Sequence, residues 1–185
     1  MSKLKWEKLS STYLVKEKWA TLRVDTCRMP DGTLIDDYYV LEYPDWVNAV
    51  AVTEEHEIIL IRQYRHASEE VILEIPGGCM DQGESPEEAI RRELLEETGY
   101  TFSSLKPLST VYANPSTSAN KTYSFLATGG KKIQEQHLDG REEIEVLKVS
   151  LDELRDLLLG NKFPQALHTT ALFYGLLELG ILKSV

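Results

Sequence analysis

The chain has 185 residues, 42% of them hydrophobic and 27% charged, a balance that favours one globular domain with a small appendage over disordered, collagen-like or coiled-coil structure. Thirty acidic residues against 20 basic ones give a net charge of −10, which argues against a broad basic surface for nucleic acid. The apolar runs have the length of strands, so no membrane span is predicted, and the first residues lack the apolar region of a secretory signal. Two widely spaced cysteines, Cys27 and Cys79, fit a reducing compartment, and we expect a cytoplasmic location.

The first 45 residues are predicted to form an antiparallel β appendage. Residues 19–27 and 34–43 are rich in Thr, Val, Leu and Tyr, and Pro30-Asp31-Gly32 between them is typical of a hairpin turn. Residues 46–185 are predicted to form the main domain, which begins with strands at 46–52, 57–64 and 71–75. Pro76-Gly77-Gly78 is predicted to stop the third strand, and residues 79–84 to form a loop.

The clearest predicted helix spans residues 86–98. Ser85 is a good N-cap, Pro86 suits the first helical position, Glu88 completes a capping box, and Gly99 is a C-terminal stop. Strands are then predicted at 105–112, 122–127 and 144–149, and helices at 151–159 and about 164–179. This order predicts an α/β fold, with a mixed sheet and helices packed on it.

The predicted helix is strongly acidic on one side. Glu93, Glu96 and Glu97 stand at i, i+3 and i+4, so their side chains share one stripe. Each close pair of carboxylates near a surface repels by up to about 4 kcal/mol, and Glu96 and Glu97 also lie in the last turn, where the helix dipole disfavours anions. A solvated acidic face is the alternative interpretation, but a hard cation such as Mg²⁺, or Mn²⁺, would offset this repulsion directly. The spacing therefore predicts a divalent metal site.

The residues around this helix resemble a known motif. Gly78, Glu84 and the run Arg92-Glu93-Leu94-Leu95-Glu96-Glu97-Thr98-Gly99-Tyr100 are similar to the Nudix box, G-x5-E-x7-R-E-U-x-E-E-x-G-U, where U is a bulky apolar residue. Every fixed position is filled, and the one mild departure is Tyr100 in place of an aliphatic residue. The resemblance implies the α/β/α sandwich of Nudix hydrolases and hydrolysis of a nucleoside diphosphate linked to another group.

The resemblance also implies roles for the box residues. Glu93 and Glu97 would be the principal metal ligands, and Glu96 would be a further ligand or would hold a bound water. Glu84 would complete the acidic site. Arg92 would orient a carboxylate through a bidentate pair, which lysine makes poorly, and an ordinary surface pair with Glu96 is the alternative.

The segment that leads into the box contains Arg62-Gln63-Tyr64-Arg65 and then Leu73-Glu74-Ile75-Pro76-Gly77-Gly78. It resembles the corresponding segment of the ADP-ribose pyrophosphatase group of this family. The resemblance implies that the backbone carbonyl of Gly77 binds a metal, that Arg65 contacts phosphate, and that Glu74 helps to hold the substrate. Arg62 is a second candidate for phosphate binding, because the guanidinium fork bonds phosphate oxygens in pairs; ordinary charge at a strand end is the alternative for both arginines. Pro115 lies close to the position of a proline that marks this group.

The catalytic base and the groups that bind the nucleoside are less clearly marked. In related enzymes the base comes from an acidic loop before a late strand, and residues 137–145 match this region, with Glu142 the first candidate and Glu143 the second. A solvated acidic turn is the alternative. Trp46 or Tyr39 could stack on an adenine, although a packing role is the expected one.

The sequence thus predicts an Mg²⁺-dependent hydrolase of ADP-ribose or a similar nucleoside diphosphate sugar, which gives a nucleoside monophosphate and a sugar phosphate. GDP-mannose or another nucleotide sugar is the alternative substrate, and a catalytically inactive Nudix-like ligand-sensing module is the alternative class. No nucleic-acid or membrane partner is predicted. The resemblance implies a homodimer whose N-terminal strands complete the substrate pocket.

Overall fold

The computed structural model describes residues 3–18, 20–140 and 142–182. The chain divides into two compact units, Met1–Pro44 with Tyr112–Asn120 and Asp45–Val111 with Lys121–Val185. Trp19, the first residue of the first predicted strand, and Val185, the last residue of the predicted main domain, lie outside the described residues. Within the described part of the chain, no helix is both long and apolar enough to span a bilayer.

The first unit contains a three-stranded antiparallel sheet. Its strands, in the order in which they pair, are β1 (Glu7–Glu17), β2 (Ala20–Arg28) and β3 (Leu34–Glu42). The predicted hairpin turn between β2 and β3 is confirmed, because Gly32 adopts a φ of +90° and donates its N–H to the carbonyl of Met29 at 2.9 Å. The sequence did not predict β1, whose residues are all exposed and therefore lack a buried and exposed alternation.

The second unit is built on a seven-stranded mixed sheet. The strands are β4 (Trp46–Thr53), β5 (Ile58–Arg65), β6 (Glu70–Glu74), β7 (Gly77–Cys79), β8 (Tyr100–Tyr112), β9 (Lys121–Lys132) and β10 (Ile144–Val149). The central path of the sheet runs β10–β5–β4–β9–β8, with β6 paired to β5 and β7 paired to β4. The strands β4 and β9 run parallel, and the pairs β4–β5, β5–β10, β5–β6 and β4–β7 are antiparallel.

Three helices of the described part of the chain cover the two faces of this sheet: α1 (Pro86–Thr98), α2 (Leu151–Leu159) and α3 (Ala166–Glu178). Because side chains alternate along a strand, Val47 and Ala49 of β4 pack on the α1 side, whereas Val50 of the same strand packs with α2 and α3. Ile90 of α1 is fully buried in the first of these two cores. The second unit is therefore the α/β/α sandwich that the sequence predicts.

The boundaries predicted for α1 are confirmed. The Ser85 hydroxyl accepts the N–H of Glu88, and the Glu88 carboxylate accepts the N–H of Ser85, so the capping box forms. At the other end, Gly99 adopts the left-handed conformation with a φ of +77° and donates its N–H to the carbonyl of Leu95. The helix is anchored by Ile90 and Leu94, which are 0% and 1% exposed.

The loop predicted at residues 79–84, directly before α1, is wrong at its first residue. Gly77–Cys79 form β7, which pairs antiparallel with Trp46–Asn48 of β4. In this pairing the backbone of β7 lies so close to β4 that a Cβ on Gly77 would collide with the carbonyl oxygen of Val47. The pairing therefore requires glycine at this position and leaves no side-chain pattern to predict it. A prediction from the side-chain pattern therefore ends the strand before Gly77, which is the residue where the pairing of β7 with β4 begins.

Candidate active site

Arg92 connects the acidic side chains of the box. Its Nε and Nη2 atoms donate to the two carboxylate oxygens of Glu84, each at 3.0 Å, which makes a bidentate pair. Its Nη1 atom donates to Glu93 at 2.8 Å and to Glu96 at 3.1 Å, and Nη2 also donates to the Cys79 carbonyl at 2.9 Å. The pair with Arg92 lowers the pKa of Glu84. Only a guanidinium offers donors in enough fixed directions to engage three carboxylates at once.

Glu93 and Glu97 are the buried carboxylates of the site. The side chain of Glu93 is 13% exposed and Glu97 as a residue is 4% exposed. Burial raises the pKa of Glu93 to about 6 and, together with the nearby charge of Glu93, raises the pKa of Glu97 well above its ordinary value. Ionising both groups therefore costs free energy, which a cation bound between them would offset.

The backbone of β7 forms a wall against these two carboxylates. Gly77 donates its N–H to Oε2 of Glu97 at 2.8 Å. At Gly78, an added Cβ would lie 2.5 Å from Oε1 of Glu93, so this glycine leaves room for the carboxylate. The Gly78 position of the box is thus explained by close approach of a side chain. That the Gly77 carbonyl binds a metal stays a prediction.

The candidate metal ligands beside β7 are the carboxylate oxygens of Glu93 and Glu97 and the carbonyl oxygen of Gly77. Oxygen ligands of this kind fit a hard divalent cation. In residues 3–18, 20–140 and 142–182, no three acidic, histidine or cysteine side chains form a ready-made cluster for one ion. Arg92 already engages oxygens of Glu84, Glu93 and Glu96. The buried pair Glu93 and Glu97 suits Mg²⁺, which takes few protein ligands and keeps several waters or phosphate oxygens.

Glu142 lies within electrostatic reach of the box. Partial burial raises its pKa, and the charges of Asp139 and Glu96 raise it further. Its own charge raises the pKa of both Glu93 and Glu97 in turn. Both Glu142 and the neighbouring Glu143 keep much of their surface exposed to solvent. Of these two carboxylates, Glu142 is the one whose charge acts on the box residues Glu93 and Glu97.

Arg65 and Glu74 form an ion pair at the edge of the same site. Glu74 is 1% exposed, and its carboxylate accepts from Nε of Arg65 at 3.2 Å and from Nη2 at 2.6 Å. The Arg65 side chain is 41% exposed, and its charge lowers the pKa of Glu97 and Glu142. Arg65 is therefore accessible next to the acidic groups, whereas Glu74 is not. Arg62 pairs across the sheet with the exposed Glu145 at 3.3 Å.

Comparison with known proteins agrees with this geometry. The profile of the NUDIX domain matches residues 43–172, and that of the nucleoside diphosphate sugar hydrolase N-terminal domain matches residues 6–41. The chain belongs to the Nudix family. Its relatives identify it further as a Nudix hydrolase, which confirms the fold and the enzyme class predicted from the box.

Two relatives and one solved structure match this Nudix hydrolase along most of their own length. The ADP-ribose pyrophosphatase of Bacillus subtilis (strain 168) is 32% identical over 159 residues, which are 85% of each chain. The methanol dehydrogenase activator of Bacillus methanolicus is 32% identical over 151 residues, 81% of this chain and 78% of its own. A crystal structure of an ADP compounds hydrolase superposes with a TM-score of 0.84 at 26% identity, covering 98% of this chain and 100% of its own.

The candidate stacking residues of this Nudix hydrolase lie in different surroundings. Trp46 begins β4, is partly buried, and lies beside Cys79 of β7, whose thiol it contacts by a hydrogen bond. Tyr39, in the middle of β3, is 53% exposed.

The first unit contains an aromatic-lined cavity that the sequence did not indicate. The cavity has a volume of about 520 Å³, and its lining includes Trp6, Arg23, Tyr38 and the predicted Pro115. The rings of Trp6 and Tyr38 meet edge to face, with centroids 6.0 Å apart. Trp6 was missed because it precedes a strand that has no recognisable pattern and because no motif marks it.

Proposed function

We propose that this Nudix hydrolase cleaves the pyrophosphate bond of ADP-ribose or a similar nucleoside diphosphate sugar in the presence of Mg²⁺, or Mn²⁺ in its place. The products would be a nucleoside monophosphate and a sugar phosphate. The observation that carries this proposal is the buried pair Glu93 and Glu97, set on the box helix beside the Arg92 fork and close to the accessible Arg65. The ADP-linked substrates in the names of several relatives support the choice of nucleotide.

The box residues would divide the work between metal binding and positioning. Glu93 and Glu97 would hold the cation, and Glu96 would bind it or an attached water. Glu84 would act mainly through Arg92, since both of its oxygens are taken up by the guanidinium. A bound divalent cation would neutralise phosphate charge and lower the pKa of the attacking water.

Two arginines are proposed to bind the phosphates. Arg65 is the stronger candidate, because its guanidinium is accessible and is held in place by the buried carboxylate of Glu74. Glu74 would then serve the substrate indirectly, by orienting Arg65. Arg62 would contribute only if the substrate displaced its exposed partner Glu145.

Glu142 is proposed as the general base, with Glu143 as the second candidate. A general base must keep a pKa near the working pH, and burial together with neighbouring acids raises the pKa of Glu142 in that direction. The charge of Glu142 raises the pKa of Glu93 and of Glu97, the groups that would hold the ion, and this supports its choice as the base.

The N-terminal unit is proposed to recognise the nucleoside and to form a homodimer. The cavity beside Trp6 and Tyr38 offers flat rings for a purine and Arg23 for a polar group. The strand β1 exposes Leu9, Tyr13 and Leu14, which are 40%, 45% and 53% exposed. A second copy of the chain would cover this apolar surface.

A substrate panel tests the proposal. The purified protein is incubated with ADP-ribose, ADP-glucose and GDP-mannose, with Mg²⁺ and with EDTA, and the products are identified by ³¹P NMR. The proposal predicts AMP and ribose 5-phosphate from ADP-ribose, and no turnover in EDTA. Glu97→Gln should lose turnover by orders of magnitude, whereas Glu87→Gln, on the same helix but paired with the exposed Arg91, should not. Hydrolysis that survives EDTA, or preference for GDP-mannose, would contradict it.

A further inference from the structure

The segment that precedes the acidic loop is docked on the C-terminal end of α1. Ile133 and Gln134 donate their backbone N–H groups to the carbonyl of Gly99, at 2.9 and 3.3 Å. His137 donates its N–H to the carbonyl of Glu96 at 2.8 Å. The last carbonyls of a helix have no partner within the helix itself, so this segment acts as an external cap on the box helix.

The side chain of Gln136 joins this cap to the far end of the acidic loop. Its Nε2 atom donates to the carbonyl of Glu97 at 2.6 Å and to the carbonyl of Ile144 at 3.1 Å. A primary amide nitrogen carries two N–H groups, so one side chain satisfies both carbonyls. Gln136 thereby ties the end of α1 to the first residue of β10.

The two hydrogen bonds of the Gln136 side chain hold both ends of the loop that carries the candidate base. The loop runs from 137 to 143, between Gln136 and the carbonyl of Ile144 that Gln136 binds, and contains Glu142 and Glu143; Arg141 lies outside the described residues. The same amide nitrogen of Gln136 also donates to the backbone carbonyl of Glu97, whose carboxylate belongs to the buried pair. The two ends of the loop are therefore held against the helix that carries the metal-binding carboxylates.

We propose that Gln136 is a positioning residue, which holds the acidic loop against the end of α1 so that its carboxylates face the buried pair Glu93 and Glu97. This inference rests on the proposed function, because it assigns Gln136 a role in placing the proposed base. Among the described residues, the side-chain amide of Gln136 bonds two backbone carbonyls, so the role proposed for it is to position the loop and not to act on the substrate. Two ordinary hydrogen bonds correspond to a roughly tenfold or larger change in the population of the docked loop.

The neighbouring Gln134 offers a matched control. It lies two residues away in the same docked segment, and its contact with α1 is through its backbone N–H to Gly99. In Gln136→Met the side chain keeps its length and loses both donors, and Gln134→Met makes the same change without removing a side-chain tie. Each variant is compared with the wild type by hydrogen exchange of the His137 amide, by thermal unfolding, and by kcat and KM on ADP-ribose.

We expect Gln136→Met to speed exchange of the His137 amide about tenfold and to lower kcat about tenfold, with KM and the unfolding temperature nearly unchanged. Gln134→Met should leave all four quantities as in the wild type. Unchanged exchange of His137 in Gln136→Met would overturn the tie itself. Faster exchange with unchanged kcat would overturn the positioning role.

A parallel pair of variants separates this inference from the proposed base. If Glu142→Gln or Glu143→Gln abolishes turnover while Gln136→Met leaves kcat as in the wild type, the base stands and the role of Gln136 is wrong. If neither carboxylate variant lowers kcat, the proposed base is wrong, and a fall in kcat for Gln136→Met then also contradicts positioning through the loop.

Discussion

Glu93 should make the metal-free protein less stable as the pH rises. Its pKa is raised from 4.5 to about 6, chiefly by burial, in a side chain that is 13% exposed. At about 1.36 kcal/mol per pH unit, this rise corresponds to about 2 kcal/mol. The folded state binds the proton more tightly than the unfolded chain, so the free energy of unfolding falls between pH 4.5 and pH 6 and stays low above it.

The test compares urea unfolding of the wild type and Glu93→Gln in EDTA at pH 5 and pH 7.5. Part of the titration lies below pH 5, so Glu93 should account for about 1 kcal/mol of the fall in the wild type. Between pH 5 and pH 7.5, the free energy of unfolding of Glu93→Gln should therefore fall by about 1 kcal/mol less than that of the wild type. The fall should be slightly smaller still, because the charge of Glu93 no longer raises the pKa of Glu97 in the variant. Glu87→Gln, on the exposed face of the same helix, should behave as the wild type.

Adding Mg²⁺ should reverse this pH dependence in the wild type. The cation binds the ionised carboxylates, so it should raise the free energy of unfolding more at pH 7.5 than at pH 5. An equal fall with pH in the wild type and Glu93→Gln would refute the assignment of a costly buried charge at Glu93. No stabilisation by Mg²⁺ at pH 7.5 would refute the role of that charge in binding metal.

Three further predictions concern other residues of the chain. Gly78→Ala should lower turnover at least about tenfold without unfolding the protein, because the new Cβ would displace the Glu93 carboxylate; full activity with unchanged circular dichroism would argue against this. Arg92→Lys should lower the free energy of unfolding by about 1–2 kcal/mol in urea titrations, since one ammonium cannot replace the bidentate pair with Glu84. Trp6→Ala should weaken AMP binding about three- to tenfold in calorimetry if the N-terminal cavity takes the base, and unchanged affinity would exclude that cavity.

The parts of the fold that the sequence predicts well are those with strong local signals. The ends of α1 follow from the Ser85 capping box and from Gly99, and both caps form as predicted. The strand β4 and the first half of β5 are buried runs rich in β-branched and aliphatic residues, a composition that favours strands. The box itself predicts which carboxylates stand together, because helix geometry sets the spacing of residues three and four apart.

The parts that the sequence does not predict depend on contacts between distant segments. The strand β7 forms because Gly77 and Gly78 allow close approach to β4 and to Glu93, which no local pattern records. The tie from Gln136 to the carbonyls of Glu97 and Ile144 joins three elements through one amide. Such contacts become visible only when the chain is folded.

The central claim is that the buried carboxylates Glu93 and Glu97 bind a divalent cation on which hydrolysis depends. Isothermal titration of Mg²⁺ into the wild type and into Glu97→Gln, at pH 6 in two buffers of different ionisation enthalpy, tests it most directly. The account predicts binding to the wild type with release of protons, because Glu93 is partly protonated at that pH, and greatly weakened binding to the variant. Absence of binding to the wild type, or equal binding to both proteins, would contradict it.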